Sequence, residues 1–382
     1  MHWRVQLLIL FLGLLAVGMG YLYFTRDQRI SNQEAAMTAL ETDEVEEVPV
    51  QTPVPLAKLL AVSVSLDDDQ SATAAATHEF ISQFQPGFVV LFGEAVATQS
   101  AQEAITDIGE LVVEQDRPMV LVDHEGGQIQ RLNGAGFTRL PSWRRVCQLA
   151  SEQRQALFAT SAAELRAVGV EGVLAPVVDV AANNPFMRER ICSADPEIVA
   201  EVAAEFVAAF SQAEIASVLK HYPGLGTATR DPHDGSSIVE IRPEDVAPFQ
   251  SLLDQWPDLA VMTTHVGVLN QFPEIPCSLS ASCIEQIYEL YPEAITITDA
   301  LEMSAARHNP ATPDEPKSLS TVALQAIRAG NHVILFGPDV SSQEVFEVLE
   351  DMRSEYTSSY EFRTNVDAAL ARIEQYHAQW KQ

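Results

Sequence analysis

Residues 118–125 read PMVLVDHE: a proline, four apolar residues, then an acid, an imidazole and a second acid. A run this short and apolar, without polar alternation, fits a strand covered on both faces. Its polar tail sets Asp123, His124 and Glu125 at the strand's carboxyl end. Working outward, the same kind of run recurs at 58–65, 87–92, 172–180, 216–222, 259–266, 294–299 and 332–336. Between the runs lie stretches with apolar residues three and four apart, such as 152–168, 196–212, 283–290 and 321–329, as amphipathic helices require. Eight strands alternating with helices predict a (β/α)8 TIM-type barrel, although a doubly wound open sheet shows the same alternation. Two more helical patterns, around 342–355 and 360–380, are expected to pack against the outside.

Barrel enzymes carry their chemistry at the carboxyl ends of the strands. Here those ends hold Asp123, Asp179, Lys220 with His221, His265 and Asp299. Any one of them fits a strand cap; five strands doing the same predict one polar pocket on one face. After the fifth run comes KHYPGLGTATRDPHDGSS (220–237), whose Gly, Pro, Ser and Thr content predicts a loop. Asp231 and His233 stand two apart in it. A carboxylate beside an imidazole can fix its tautomer and raise its basicity, though an exposed, inactive pair has the same spacing.

The chain has 382 residues, with 53 acidic and 23 basic ones, for a net charge of −30. Only four of the basic residues are lysines: Lys58, Lys220, Lys317 and Lys381. That leaves no basic patch able to grip a phosphate backbone, so nucleic acid is excluded as a partner. Scarce lysine with abundant acid also suits a salty medium.

Residues 5–24 form an uncharged, apolar run of 20 residues behind Arg4, long enough to span a bilayer as a helix. Residues 1–26 are therefore expected to be a short stub and a transmembrane anchor, with a cleaved signal as the alternative. No cysteine lies nearby, so a lipid-modified cysteine is excluded. Arg26 and Arg29 beyond the run weigh against export, yet large domains translocate regardless of flanking charge. The expectation is a membrane-anchored protein with an extracytoplasmic, periplasmic catalytic domain. Residues 27–55, with seven acids and with Pro53 and Pro55 near its end, read as a solvated tether. Residues 56–382 hold most of the charge, near −26, and form one catalytic domain, expected to be a monomer. The cysteines Cys147, Cys192, Cys277 and Cys283 show no metal-like spacing and read as scattered small residues, with disulfides open to an exported domain.

Several ordered strings together resemble glycoside hydrolase family 3, in particular its single-domain β-N-acetylglucosaminidases of cell-wall recycling. They are VDHEGGQIQRLNGAGFTRLP, APVVDV, RERICSADPEIVAE, KHYPGLGTATRDPH, VMTTHV, ITDALEM and AIRAGNHVILFGPD, spread over roughly residues 60–340. The resemblance implies retaining hydrolysis of terminal β-linked N-acetylglucosamine, from muropeptides or related glycans, through a covalent glycosyl-enzyme. It implies Asp299 as nucleophile, His233 as acid/base and Asp231 as its partner. It also implies sugar binding by Asp123, Arg131, Arg190, Lys220 and His221, with no cofactor and no metal. Glu125 reads as a supporting carboxylate and His265 as pocket-lining. Four positions depart from the family pattern: Leu225 in place of a histidine, Pro232 in place of a serine, Ala300 in place of an aspartate, and Gln128 at an often basic position. None removes a catalytic group. Two other functions share the same residues: a phosphorylase that resolves the intermediate with phosphate, and a tethered glycan-binding protein whose site has decayed.

Overall fold

The computed structural model describes residues 54–67, 72–94, 96–269, 271–308 and 316–381. The apolar run at 5–24 and nearly all of the tether lie outside them. Among the described residues, no helix is long and apolar enough to cross a membrane.

Eight parallel strands form one sheet: β1 (Leu60–Ser65), β2 (Phe88–Phe92), β3 (Met119–Val122), β4 (Gly172–Val173), β5 (Ala216–Tyr222), β6 (Ala260–Thr263), β7 (Ile295–Thr298) and β8 (Ile334–Leu335). Their spatial order is β7-β6-β5-β4-β3-β2-β1-β8. A parallel bridge between Ile297 and Val333 joins the two outer strands, so the sheet curls into a barrel and the open-sheet alternative falls. All eight predicted runs are strands, most of them trimmed. The fourth shrinks most, since Pro176 has no N–H for the ladder. Its later residues still lie beside β5, with Val178 N donating to Lys220 O at 2.8 Å.

Each strand leads to a helix: α1 (Ala72–Phe84), α2 (Thr98–Glu110), α3 (Ser151–Ala167), α4 (Pro196–Gln212), α5 (Pro243–Leu253), α6 (Ala281–Leu290), α7 (Leu319–Arg328) and α8 (Ser342–Ser358). A ninth, α9 (Tyr360–Trp380), packs on the outside with α8, as expected. The local reasons are ordinary. Asp195 caps α4 by accepting from Glu197 N, and Pro196 opens the first turn, where its missing donor costs nothing. The buried stripe Val199, Val202, Phe206, Val207 and Phe210 then turns α4 inward. Phe206 stacks on Phe210 and meets Phe158 of α3 and Trp143 edge-on.

All four cysteines are paired, contrary to the reading of scattered small residues. Cys147 bonds Cys192 across 45 residues, and Cys277 bonds Cys283. Spacing pointed away from metal sites but could not show that the β3 and β4 loops run side by side.

Candidate active site

Three of the five polar strand ends, those of Asp123, of Lys220 with His221, and of Asp299, converge on a cavity of about 540 Å³, while Asp179 and His265 are buried behind it. That volume lies within the usual range for small-molecule sites. Asp299, Asp231, His233, Asp123, Arg131, Arg190, Lys220 and His221 all line it.

Asp299 follows β7, and its Oδ1 accepts from Ala300 N at 2.9 Å. Burial would raise its pKa, but the imidazoles of His221 and His265, the Ala300 amide and the Lys220 ammonium outweigh it. The carboxyl is held below its ordinary value and stays ionised. Opposite, on the loop after β5, His233 Nδ1 lies 2.8 Å from Asp231 Oδ1. The same oxygen accepts from His233 N at 3.0 Å. Nδ1 therefore carries the proton, and Nε2 is left for chemistry. The His233 side chain is 70% exposed, at the mouth of the cavity.

The floor is a buried ion network. Lys220 Nζ lies 2.8 Å from Asp123 Oδ1 and 2.6 Å from Glu125 Oε1. Arg190 meets Glu125 with two bonds, Nε to Oε2 at 2.8 Å and Nη2 to Oε1 at 2.9 Å. Burial pushes Glu125 up, but Arg190 and Lys220 outweigh it and hold the carboxyl far below the usual range. Glu125 is thus the anion that holds a buried lysine and a half-buried arginine, the supporting role expected of it. Arg190 Nη2 also donates to His221 Nε2 at 3.2 Å, so His221 Nδ1 donates to Asp179 Oδ2 at 2.7 Å. Arg131 stands over the Phe92 ring, and its Nη2 lies 3.9 Å from Asp123. Its buried Nε has no hydrogen-bond partner among the described residues.

His265 is a correction. It is fully buried and does not line the cavity. Nε2 donates to Ala300 O at 3.0 Å, and Nδ1 accepts from Ser278 Oγ at 2.7 Å. It braces the turn that carries Asp299. The departures from the family pattern find places too. Leu225 is buried on the cavity wall, and its N–H donates to Asp179 Oδ1 at 2.6 Å. Pro232 lends its carbonyl to Ala305 N at 3.0 Å, docking the dyad loop on the short helix Ser304–Arg307. Ser236 Oγ adds a bond to His308 O at 3.1 Å. Gln128 lies outside the cavity, in an adjoining cleft.

Two important residues were missed in the sequence. Buried Asn184, in the loop after β4, donates from Nδ2 to the carbonyls of Leu225, Gly226 and Ala228. Its Oδ1 accepts from Phe186 N and Met187 N, so one amide ties the β4 loop to the stem of the dyad loop. Only the density of polar residues in ANNP hinted at it. Glu302, three after Asp299, also lines the cavity and accepts from Gly337 N at 3.1 Å. Burial raises its pKa, and Asp299 and Asp339 add to the effect. A Cβ at Gly337 would meet this carboxylate and force its end to shift.

The glycosyl hydrolase family 3 N-terminal domain matches residues 52–375. The chain belongs to glycosyl hydrolase family 3. This family 3 chain is 33% identical over 234 residues to a β-hexosaminidase of Stenotrophomonas maltophilia, covering 57% of this chain and 68% of that one. A β-hexosaminidase of Hydrogenovibrio crunogenus is 29% identical over 296 residues, covering 72% and 80%. Among solved structures, a β-N-acetylhexosaminidase from Beutenbergia cavernae superposes with a TM-score of 0.75 at 24% identity, covering 85% of the family 3 chain and 97% of its own. The expectation of a glycoside hydrolase on a TIM-type barrel is met.

Proposed function

We propose that the protein is a retaining β-N-acetylglucosaminidase acting on terminal β-linked N-acetylglucosamine of muropeptides or related glycans. One observation carries this reading: ionised Asp299 shares a cavity with the hydrogen-bonded Asp231–His233 pair. In the first step an Asp299 oxygen bonds the anomeric carbon while the bond to the leaving oxygen breaks. Protonated His233 gives its Nε2 proton to that oxygen. In the second step water attacks the anomeric carbon, Nε2 takes its proton, and the Asp299 ester bond breaks. Asp231 holds the imidazole tautomer throughout. Asp123 accepts from sugar hydroxyls, and Arg131, Arg190, Lys220 and His221 surround the sugar and its acetamido group. The β-hexosaminidase names of the relatives support the substrate.

Release of nitrophenol from 4-nitrophenyl β-N-acetylglucosaminide is the direct assay. Turnover by the wild type, loss of at least about 10⁴-fold in Asp299→Ala, and an Asp299 adduct with a fluorinated mechanism-based sugar are the expected results. Absence of both turnover and adduct in folded protein overturns the reading. Assays with phosphate added tell hydrolysis from phosphorolysis by whether sugar 1-phosphate forms.

We further propose that the barrel works outside the cytoplasm. The apolar run at 5–24 and the two disulfides support this, because disulfides persist in oxidising compartments. Fractionation with protease protection of intact cells tests it, and a barrel shielded from external protease after outer-membrane permeabilisation would overturn it.

A further inference from the structure

The wall of the catalytic cavity divides by charge. Six carboxyl groups line it against three lysine and arginine side chains. Those cations come from β3, β4, β5 and the turns after them, and each is matched where it stands. Lys220 meets Asp123 and Glu125, Arg190 meets Glu125, and Arg131 faces Asp123. Asp179, behind the cavity, adds its charge to the balance at Arg190. Asp231 is taken by His233. In the barrel order, β7 and β8 stand across from β3 and β4. The turns after β7 and β8 bring Asp299, Glu302 and Asp339 to the cavity, and no lysine or arginine.

These three carboxyl groups have no such partners. Among the described residues, no lysine or arginine lies within ion-pair distance of any of them. Arg307 and Lys317, the cations that follow in sequence, do not line the cavity. Arg307 Nε donates to the Lys317 carbonyl at 3.0 Å, and Lys317 Nζ to Gln325 Oε1 at 2.9 Å. Glu302 is set by main chain instead. Its Oε2 accepts from Gly337 N, and its Oε1 fills the space that a Cβ at Gly337 would take. Asp339 lines the same wall and is exposed. Burial and the charges of Asp299 and Asp339 all weigh against an ionised Glu302, so a cation beside it is favoured.

We propose that Glu302, backed by Asp339, reads a positive charge on C2 of the sugar, so that the enzyme also cleaves β-glucosaminides whose 2-amino group is free. The inference rests on the glycosidase reading above and widens its substrate. Asp299 must reach the anomeric carbon, and C2 is bonded to that carbon, so a group on C2 comes to rest beside the unmatched wall. An ammonium there forms charge-assisted hydrogen bonds to Glu302, which a hydroxyl cannot equal. The wall also offsets the repulsion between that ammonium and the positive charge that develops on the ring. The acyl group itself is dispensable, because Asp299 attacks in place of an acetamido oxygen. The bonds made and broken are those of the acetylated substrate: Asp299 bonds the anomeric carbon, the leaving oxygen takes the His233 proton, and water releases free glucosamine.

The test compares the 4-nitrophenyl β-glycosides of glucosamine, N-acetylglucosamine and glucose on the full chain, at low salt and below the pKa of the substrate amine. The wild type is expected to cleave the glucosaminide, and to favour it over the glucoside by at least about tenfold in kcat/KM. The ratio of kcat/KM for the glucosaminide to that for the N-acetylglucosaminide should fall about tenfold in Glu302→Gln. It should fall about threefold in Asp339→Asn, at an exposed position. Three results overturn the proposal: no cleavage of the glucosaminide by protein that cleaves the acetylated sugar, no preference for it over the glucoside, or a ratio unchanged in Glu302→Gln. If Glu302→Gln does not fold, Asp339→Asn decides, with the threefold fall in support and an unchanged ratio against. If the wild type cleaves none of the three, the glycosidase reading fails by itself. Calorimetric binding of free glucosamine then decides the wall: binding weakened about tenfold in Glu302→Gln supports it, and equal binding or none overturns it.

Discussion

Glu125 shows how much of this site rests on one buried carboxylate. Its carboxylate is buried against Lys220 and Arg190, and removing one partner of a buried ion network leaves the others uncompensated. Glu125→Gln is expected to lose about 3–5 kcal/mol at neutral pH, read by urea unfolding. The carboxyl titrates far lower in the fold than its ordinary 4.5. Its contribution is therefore complete above about pH 4.5 and fades as the pH falls below that. The gap between variant and wild type should narrow in acid; a gap constant with pH would contradict the network. Asp231→Asn is the complementary case. It frees the His233 tautomer without removing the imidazole, so kcat should drop about 10²-fold or more with little change in KM. An unaltered kcat would remove Asp231 from the mechanism.

Among the elements, the barrel strands were legible because each is a short apolar run stopped by Gly, Pro or a polar cluster. Residues at strand ends, such as Asp123, Lys220 and Asp299, were legible for the same reason: a barrel leaves them only one face to occupy. What could not be read was anything set by where a loop comes to rest. His265 follows β6 as Asp299 follows β7, yet it turns behind the site, because Ser278 and the Ala300 carbonyl offer it two partners there. Asn184 and the Cys147–Cys192 pair depend on loops 40 or more residues apart in sequence. That disulfide should stabilise the barrel by about 4 kcal/mol through the unfolded chain. Cys147→Ser with Cys192→Ser, measured by urea unfolding, checks this, and a midpoint equal to the wild type would contradict it. Asn184→Ala should cost about 1–3 kcal/mol, since it orphans three carbonyls of the dyad loop.

On the scale of the whole molecule, charge and burial work against each other as the pH falls. Burial drives His124, His332 and His377 down to about 3, so each is neutral in the fold and charged once unfolded below 6.5. Each contributes stability that is complete above pH 6.5 and is lost at about 1.4 kcal/mol per unit toward pH 3. In His124→Gln, the fall in stability between pH 6 and pH 4 should be shallower by about that slope; an identical slope would show that His124 does not charge on unfolding. The net charge of −30 also predicts self-repulsion. Raising salt from about 0.05 to about 0.5 M should raise the melting temperature, and a flat response would contradict it.

The bond from Ala305 N to the Pro232 carbonyl joins the Asp231–His233 loop to the segment that follows Asp299 with main chain alone. No side chain takes part, so sequence drift at position 305 can leave the junction intact as long as the residue is not proline. It also makes one proton a witness. Exchange of the Ala305 amide with deuterated solvent requires the Asp231–His233 loop to lift from the Asp299 side. Its rate therefore measures how often the enzyme opens, and a trapped glycosyl ester should slow it.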